Sequence, residues 1–496
     1  MIPSWYLLVP VFLPVLSGLA VGLWKSLGDG RGRNPFTLAV LLLNLAALVP
    51  VLLAPSVELQ LFQLSDNLPI FFRTDDAGKV FAAVMALLWA VAGAYSFAYM
   101  EHEGHLRRYY SFYLVSLGVL MGLCFAGSIV TYYMFYELMT LLTVPLVVHE
   151  MSKDAVAAGI KYLIYSVLGA SLVLLGVFVL APWVESFSFA PGGVLNREAL
   201  AGHEGTALTM VFLMLVGFGT KAGMFPLHGW LPTAHPVAPA PASAVLSGVI
   251  TKAGVLGAFR LVYCFVGADF LRGTWVHFTW IGLTLFTVFM GSMLAYREDL
   301  LKKRLAWSSV SQVSYVLFGL ATLHPLGVVG ALLHVSAHAL IKNTLFMSAG
   351  AIIHQTGKTR VSELRGIGRQ MPIVMWCFTI ASVGLVGIPP CLGFVSKWYL
   401  AQGALAMTGT PDFLRFLGPA VLLISALLTA GYLLTVTIRG FFPGEGEGGK
   451  PLTFEKLEPS WRMWLPMVIL AALSVLLGLF PGALIDFFTG IAGAVL

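Results

Sequence analysis

The chain has 496 residues, of which 58% are hydrophobic and 10% are charged, and its formal net charge is +6. A soluble domain carries charged residues at about 25% of its positions, so this chain has too little charge to cover a water-facing surface. The composition excludes an ordinary soluble domain and indicates a membrane protein.

Apolar stretches of roughly 20 residues recur along the chain without period-2 alternation, which favours membrane-spanning helices over a β-barrel. We therefore predict an all-α polytopic membrane protein. Its 14 predicted spans cover residues 4–24, 36–55, 77–100, 110–128, 129–148, 157–183, 207–227, 241–266, 275–295, 304–323, 327–353, 372–404, 417–439 and 463–485. The first stretch lacks a basic start and a clear small-residue cleavage site, so we interpret it as a helix of the mature protein.

The predicted loops differ in charge between the two sides of the membrane. Of the 29 Lys and Arg residues, 18 fall in loops on one side and 5 in loops on the other. Lys and Arg are enriched in cytoplasmic loops, so both termini are predicted to lie outside the prokaryotic plasma membrane. The same asymmetry explains the basic composition, and no nucleic-acid partner is expected.

The chain divides into four predicted segments. Residues 1–105 hold the first three spans. Two units of five spans follow at residues 106–267 and 268–440, and residues 441–496 hold a loop and the last span. Because each unit has an odd number of spans, the second unit is inverted relative to the first.

Nine ionisable residues lie within or near the predicted spans, where an ionised side chain at the bilayer centre costs at least about 2.5 kcal/mol. They are Glu137, Lys161, Lys221, Lys252, Arg260, His334, His338, Lys342 and Lys397. Such groups face the bundle interior and need a partner or water. We predict functional roles for Glu137, Lys221, Lys252 and Lys397, because a leucine in the same place would avoid that cost.

Two of the nine residues leave a structural interpretation open. Lys161 lies close to the predicted cytoplasmic start of its span, and Arg260 lies late in its own span. A long basic side chain in such a position can extend its charge to the membrane interface. We place both among the accessory residues, together with His228 and Lys342.

Two predicted spans are interrupted by proline and glycine. The seventh span runs into five prolines between residues 226 and 241, and the twelfth contains Gly384, Gly387, Pro389, Pro390 and Gly393. Proline removes an amide donor and clashes with the preceding turn, so helices 7 and 12 are predicted to be broken. Paired broken helices in two halves of a chain indicate an ion or substrate site. Glu137 is the expected counter-charge for Lys221, which precedes the first break.

His334, His338 and Lys342 are spaced by four residues and share one face of the eleventh span. Two histidines four residues apart can bind a metal, but no third ligand and no HExxH motif accompanies them. A relay for protons is the preferred interpretation, because histidine titrates near neutral pH. Simple hydrogen bonding between neighbouring helices remains an alternative.

No cofactor or metal is expected in this chain. The four cysteines, Cys124, Cys264, Cys377 and Cys391, form no CxxC motif. The sequence also contains no nucleotide-binding loop of the GxxxxGK[ST] type and no dinucleotide fingerprint. Energy for any transport is therefore expected to come from partner subunits.

Several motifs occur in a familiar order: Glu137 in the fifth span, GTKAGMFPLHGWLPTAHPVAPAPASAVLSGVITKAG, LAWSSVSQVSYVLFGL, HVSAHALIKNTLFMSAG and GFVSKWYL. Together they resemble the antiporter-like subunits of respiratory complex I and of Mrp-type cation/proton antiporters, over about residues 100 to 440. Within this family the chain is most similar to the D-type Mrp subunits and their hydrogenase-associated relatives. The chain ends soon after the last predicted span, without the long lateral helix of the largest complex I member.

The resemblance implies a 14-helix proton-translocating subunit with two inverted five-helix repeats. It also implies partners: other integral membrane subunits including further antiporter-like ones, lipids and protons, with Na⁺ exchange left open. By matching motif, it assigns proton translocation to Glu137, Lys221, Lys252, His334, His338 and Lys397. Our hypothesis is that protons enter from the cytoplasm at Lys221 and Glu137, pass Lys252 and the histidines, and leave from the Lys397 half.

A free-standing secondary transporter of an organic solute is the alternative, since broken helices can also form a substrate pocket. It predicts activity from the purified chain alone, whereas membership of a complex predicts co-purification with other membrane proteins. An inert scaffold is a third interpretation, and it requires that the buried charges be replaceable by Leu or Met.

Overall fold

The structure is a computed structural model that describes residues 2–65, 68–444 and 454–496. It is mostly helical, and every predicted span contains at least one helix. The helices are α1 (Leu8–Leu23), α2 (Lys25–Gly28), α3 (Arg33–Leu53), α4 (Asp76–Tyr99), α5 (Leu106–Cys124), α6 (Ile129–Val147), α7 (Lys153–Leu180), α8 (Glu204–Ala222), α9 (Leu231–Val237), α10 (Ala240–Val245), α11 (Thr251–Phe259), α12 (Ala268–Leu271), α13 (Trp275–Arg297), α14 (Leu301–Ala321), α15 (Pro325–Thr356), α16 (Ile367–Gln370), α17 (Pro372–Val386), α18 (Leu392–Leu405), α19 (Asp412–Phe441), α20 (Trp461–Leu479) and α21 (Gly482–Val495).

Within the described ranges, 11 helical segments are long and apolar enough to cross a membrane. The chain is therefore a polytopic membrane protein. The predicted span at 304–323 corresponds to α14, which is not among the 11. This helix carries buried polar residues, including Ser308, Ser311 and Gln312, so its surroundings are protein rather than lipid.

A β-hairpin departs from the all-α prediction. Strand β1 (Glu58–Ser65) pairs antiparallel with β2 (Leu68–Arg73) between α3 and α4. The sequence ELQLFQLS alternates apolar and polar residues except at Leu61 and Phe62, near a register shift of the hairpin, and this alternation is the period of a strand. This signal was missed because the surrounding pattern is helical.

Two helical segments form the interior of the bundle. Residues 240–266 run as one continuous helical stretch, buried throughout, in which α10 and α11 are joined by a π-helical turn at Leu246–Ile250 and followed by another at Arg260–Val266. Helix α15 is buried from Gly327 to Ile352. Because neither segment faces lipid over these residues, their polar side chains lie inside protein.

The chain leaves the helical path at the two predicted interruptions. Helix α8 ends at Gly223, with φ 82°, and α9 begins only at Leu231. Helix α17 ends at Gly387, with φ 91°, and α18 begins at Leu392. Glycine adopts these left-handed backbone angles without strain, so each glycine ends its helix and leaves carbonyl groups that need partners.

Candidate functional site

Lys221 lies in the last turn of α8 and is fully buried. Its ammonium group donates hydrogen bonds to the hydroxyls of Thr140 (2.8 Å), Tyr162 (3.0 Å) and Ser166 (2.9 Å). The nitrogen also lies 4.4 Å from the centre of the Tyr162 ring. An ammonium group has three N–H donors, so these hydroxyls satisfy all of them. A proton on this lysine is thus held by neutral oxygens.

Glu137, the expected counter-charge for Lys221, interacts with the lysine electrostatically but forms no direct ion pair with it. It is half-buried, and among the described residues it forms no ion pair and no hydrogen bond. The reason is its position on α6: Tyr136 and Thr140 face Lys221 one helical turn apart, while Glu137 is rotated by about 100° from Tyr136. The two charges interact only beyond ion-pair distance.

Lys252 and His338 form a buried contact between α11 and α15. The Nζ of Lys252 lies 2.6 Å from the Nδ1 of His338 and 2.8 Å from the carbonyl oxygen of Ser247. That carbonyl belongs to the π-helical turn, and π-bulges occur frequently at functional sites. A protonated lysine can only donate, so Nδ1 of His338 accepts and its proton is on Nε2.

His334 and Lys397 continue this row of titratable groups towards the second helix break. Nδ1 of His334 lies 2.8 Å from the Ser396 hydroxyl, which donates its hydrogen to the Gly393 carbonyl. Nδ1 must therefore carry the hydrogen of that contact, and Nε2 is the basic nitrogen. The rings of His334 and His338 are 6.2 Å apart.

Lys397 explains the broken helix around Gly387. Its Nζ donates to the carbonyls of Leu385 (2.6 Å) and Val386 (2.9 Å), the last two residues of α17. A cation at a helix C-terminus is stabilised by the helix dipole. The same nitrogen lies 5.0 Å from the Tyr315 ring, which stacks on His334 at 5.4 Å. The half-helix end and the ring thus hold Lys397 beside the histidine.

The accessory residues differ in their surroundings. Lys342 is fully buried and donates to Ser308 and to the Leu305 carbonyl on α14. Lys161 is partly exposed and lies 5.8 Å from the Tyr165 ring. His228 lies between α8 and α9 and stacks 5.8 Å from Phe225.

Arg260 is enclosed by protein. It is buried, with 1% of its surface exposed, and it forms a bidentate ion pair with Asp75. Asp75 precedes α4 and accepts a hydrogen bond from the Gly78 amide as its N-cap. Burial raises the pKa of Asp75, but Arg260 and that amide outweigh it and hold the pKa below its usual value.

The sequence reasoning missed one polar group in α9 and one that bonds its end. His235 is fully buried and stacks 4.6 Å from Phe346, and no described protein atom bonds either of its ring nitrogens. Lys302 was one of the 18 basic residues assigned to loops on one side of the membrane, but it lies in α14 and donates to the carbonyls of Pro236 (3.1 Å) and Ala238 (2.5 Å). The available signal for both residues was the short proline-flanked segment that forms α9. The carbonyl groups at the end of such a short helix need a hydrogen-bond donor.

The hydroxyl groups around Lys221 were also missed. Tyr162 and Ser166 are four residues apart on α7, so they share one face of an apolar helix. That spacing in the sequence was the available signal.

Several buried polar atoms along this row have no protein partner in the described residues. They include Nε2 of His334, Nε2 of His338, both ring nitrogens of His235 and the side-chain amide atoms of Gln312. Buried polar groups are hydrogen-bonded in native proteins, by water where protein offers nothing. The arrangement can therefore pass protons between titratable groups through water.

Comparison with known proteins gives one matching family model. The model described as "NADH:quinone oxidoreductase/Mrp antiporter, TM" matches residues 126–418, more than half of the chain. This span contains every residue of the row described above, from Glu137 to Lys397.

The chain is also similar to individual relatives. It is 35% identical over 381 residues to the N subunit of the NADH-quinone oxidoreductase of Desulforudis audaxviator (strain MP104C), covering 75% of this chain and 74% of the relative. It is 27% identical over 483 residues to the D subunit of the Na(+)/H(+) antiporter of Bacillus subtilis (strain 168), covering 96% and 94%. A chain in the structure of the Mrp complex from Dietzia sp. DQ12-45-1b shares the fold, with a TM-score of 0.86, 23% identity and coverage of 100% of this chain and 98% of that chain.

Proposed function

Because the chain belongs to the NADH:quinone oxidoreductase/Mrp antiporter transmembrane family, we propose that it is a proton-translocating subunit of a multisubunit membrane complex. The family predicted from the sequence is thereby confirmed. Relatives are named as a subunit of NADH-quinone oxidoreductase and a subunit of an Na(+)/H(+) antiporter, so the partners are other integral membrane subunits. The alternative of a free-standing organic-solute transporter gains no support from these relatives.

The contact between Lys252 and His338 carries the proposal. It joins two helices that have no lipid-facing side at this depth, and both residues are buried. Keeping a titratable pair there costs free energy that an apolar pair would not. Proton transfer is the chemistry that uses both groups.

The hydrogen-bond pattern gives the relay a working order. When Lys252 is protonated, His338 presents an Nε2–H, and His334 presents a basic Nε2. Water between these two unpartnered atoms can pass a proton from one ring to the other. The next titratable group is Lys397, which lies against the Tyr315 ring that stacks on His334 and would receive the proton from the histidine through water.

Helix α8, which carries Lys221, crosses α11, which carries Lys252, at close range. A Cβ on Gly254 of α11 would lie 3.1 Å from the Cβ of Lys221 and 2.5 Å from the Phe218 carbonyl oxygen. Only glycine lets the two helices approach this closely. In our proposal protons enter from the cytoplasm in the Lys221 and Glu137 half, and they leave from the Lys397 half.

The finer topology belongs to the same proposal. The chain would span the membrane 14 times in a prokaryotic plasma membrane, with both termini outside. Residues 106–267 and 268–440 would form the two inverted units, and the fourth span of each would be interrupted, as α8/α9 and α17/α18 are. Partner subunits would supply the energy, from redox chemistry or Na⁺ exchange, with no cofactor bound to this chain.

Substitution of the central lysine tests the function. We expect Lys252→Met to abolish proton translocation by the intact complex while the subunits still co-purify. Lys153→Met is the matched control, because Lys153 is exposed at the start of α7 and should leave translocation unchanged. Translocation is measured as acidification of inverted membrane vesicles. Normal acidification by an assembled Lys252→Met complex would contradict the proposal.

A further inference from the structure

A cavity opens on the face of the protein that carries the β-hairpin. Its volume is about 350 Å³, and its lining includes Ser56, Arg73, Asp75, Arg260, Cys264 and Val495. The walls come from the end of the hairpin, the start of α4, the π-helical turn at Arg260–Val266 and the last helix, α21. Arg260 is the most deeply buried charged residue in this lining.

Arg260 is fixed by contacts on several sides. Its two terminal nitrogens bond the Asp75 carboxylate, and its guanidinium lies 5.2 Å from the centre of the Phe189 ring. A Cβ on Gly78 would come within 3.1 Å of its Nη2, so the backbone of α4 packs directly against the guanidinium. Its Nε has no partner among the described protein atoms, although Arg260 lines the cavity.

The other charges around the cavity are already engaged. Arg73 donates to the Phe189 carbonyl and lies 4.0 Å from Glu58, and Asp76 lies 3.4 Å from Lys79. The deepest charge in the cavity is the guanidinium of Arg260, and its own partner is Asp75.

The buried relay begins a short distance further along the same helix. Lys252 precedes Arg260 by eight residues, about 12 Å at 1.5 Å per residue. Tyr132 donates to the Ala253 carbonyl between them. Water reaching past Arg260 would connect the hairpin face with Lys252, and a proton path open there would dissipate the gradient. A fixed arginine on such a path would oppose the movement of cations and protons.

We propose that Arg260, held in place by Asp75, is an electrostatic barrier that prevents protons from passing between the hairpin-face cavity and Lys252. This rests on the proposed proton translocation. The barrier is the positive charge itself, and Asp75 is a positioning residue.

The two members of the pair should respond differently to neutralisation. Arg260→Gln removes the cation and leaves Asp75 as a carboxylate that can bind and release protons. We expect passive proton conductance of the undriven complex in liposomes to rise at least about tenfold, which corresponds to about 1.4 kcal/mol of barrier. Asp75→Asn keeps the cation and an oxygen for the Gly78 amide but weakens the contact that positions Arg260, so conductance should rise clearly less than in Arg260→Gln. Equal increases in conductance in both variants would mean that the ion pair only stabilises the local structure, and this result would overturn the proposal.

A double variant excludes leakage through a misfolded protein. We expect Lys252→Met combined with Arg260→Gln to return conductance to the wild-type level, because the leak should require the buried lysine. A leak that persists without Lys252 would contradict the barrier. The two proposals fail separately: proton translocation fails if Lys252→Met alone still pumps, and the barrier fails if Arg260→Gln does not leak.

Cys264 provides a readout that does not depend on activity. It lines the cavity one helical turn from Arg260 and is 4% exposed. With the other cysteines replaced by alanine, we expect Arg260→Gln to increase its labelling by a cationic methanethiosulfonate relative to a neutral one. An unchanged ratio would count against an electrostatic role.

Discussion

Replacing Ser396 tests whether hydrogen-bond direction controls the relay. The Ser396 hydroxyl bonds Nδ1 of His334 at 2.8 Å and donates to the Gly393 carbonyl at 2.9 Å. Ser396→Ala removes this partner, and His334 would then have no described protein partner at either ring nitrogen, because Nε2 already lacks one. The imidazole would lose the contact that fixes its tautomer and orientation.

The magnitude follows from the cost of an unpaired buried polar group. Leaving Nδ1 unsatisfied costs about 1–3 kcal/mol. If the productive tautomer must be restored in each cycle, this corresponds to a fall in the translocation rate of about 5- to 150-fold. The stack of Tyr315 on His334 remains in the variant, so the ring should stay in place and the complex should assemble.

The assay is acidification of inverted vesicles by the assembled complex, measured as an initial rate. Ser171→Ala is the matched control, because Ser171 is an exposed helical serine that bonds only the Val167 carbonyl. If Ser396 acts through His334, adding Ser396→Ala to the His334→Gln variant should not lower the translocation rate any further. A Ser396→Ala complex that pumps at the wild-type rate, or additive losses in the double variant, would refute the reasoning.

Two further predictions concern stability, read as thermal midpoints in detergent. Gly254→Ala would place a Cβ 2.5 Å from a carbonyl oxygen and 2.6 Å from an amide nitrogen of α8, so we expect the free energy of unfolding to fall by about 1–3 kcal/mol. The control is Gly205→Ala, whose Cβ would meet open space and should leave the stability unchanged. Equal thermal midpoints for the two variants would contradict this packing. Burial, with Arg108 nearby, lowers the pKa of His149 from 6.5 to about 4. The neutral imidazole therefore makes its full contribution to the free energy of unfolding above about pH 6.5, and this contribution is lost as the pH falls towards 4. His149→Gln should remove up to about 3 kcal/mol of this acid sensitivity, and parallel pH profiles of variant and wild type would count against it.

The sequence was most informative where the signal was local. Apolar runs of membrane-spanning length located the helices, and the prolines and glycines near residues 226 and 389 marked where helices stop. The cost of burying charge singled out Lys221, Lys252 and Lys397, all of which make polar contacts inside the bundle. These inferences need only the preference of each residue for lipid, water or helix.

The sequence left undecided those features that depend on the direction of a side chain. Glu137 acts on Lys221 as a counter-charge, but only the structure shows that it does so without a direct ion pair, because it lies about 60° around α6 from Thr140, which bonds the lysine. For Arg260, the sequence did not decide between the membrane interface and the protein interior. Its partner Asp75 lies 185 residues earlier in the chain. No periodicity or spacing joins residues so far apart.

The sequence by itself determined that this chain is a helical membrane protein, which helices break and which charges must be buried, because hydrophobicity and backbone preference act over one or two helical turns. Tertiary structure alone decided which groups meet: three hydroxyls around Lys221, His338 against Lys252, and the carbonyl end of α17 on Lys397. Those pairings depend on how the helices rotate and cross when they pack, and helix packing is settled by contacts between segments distant in the chain.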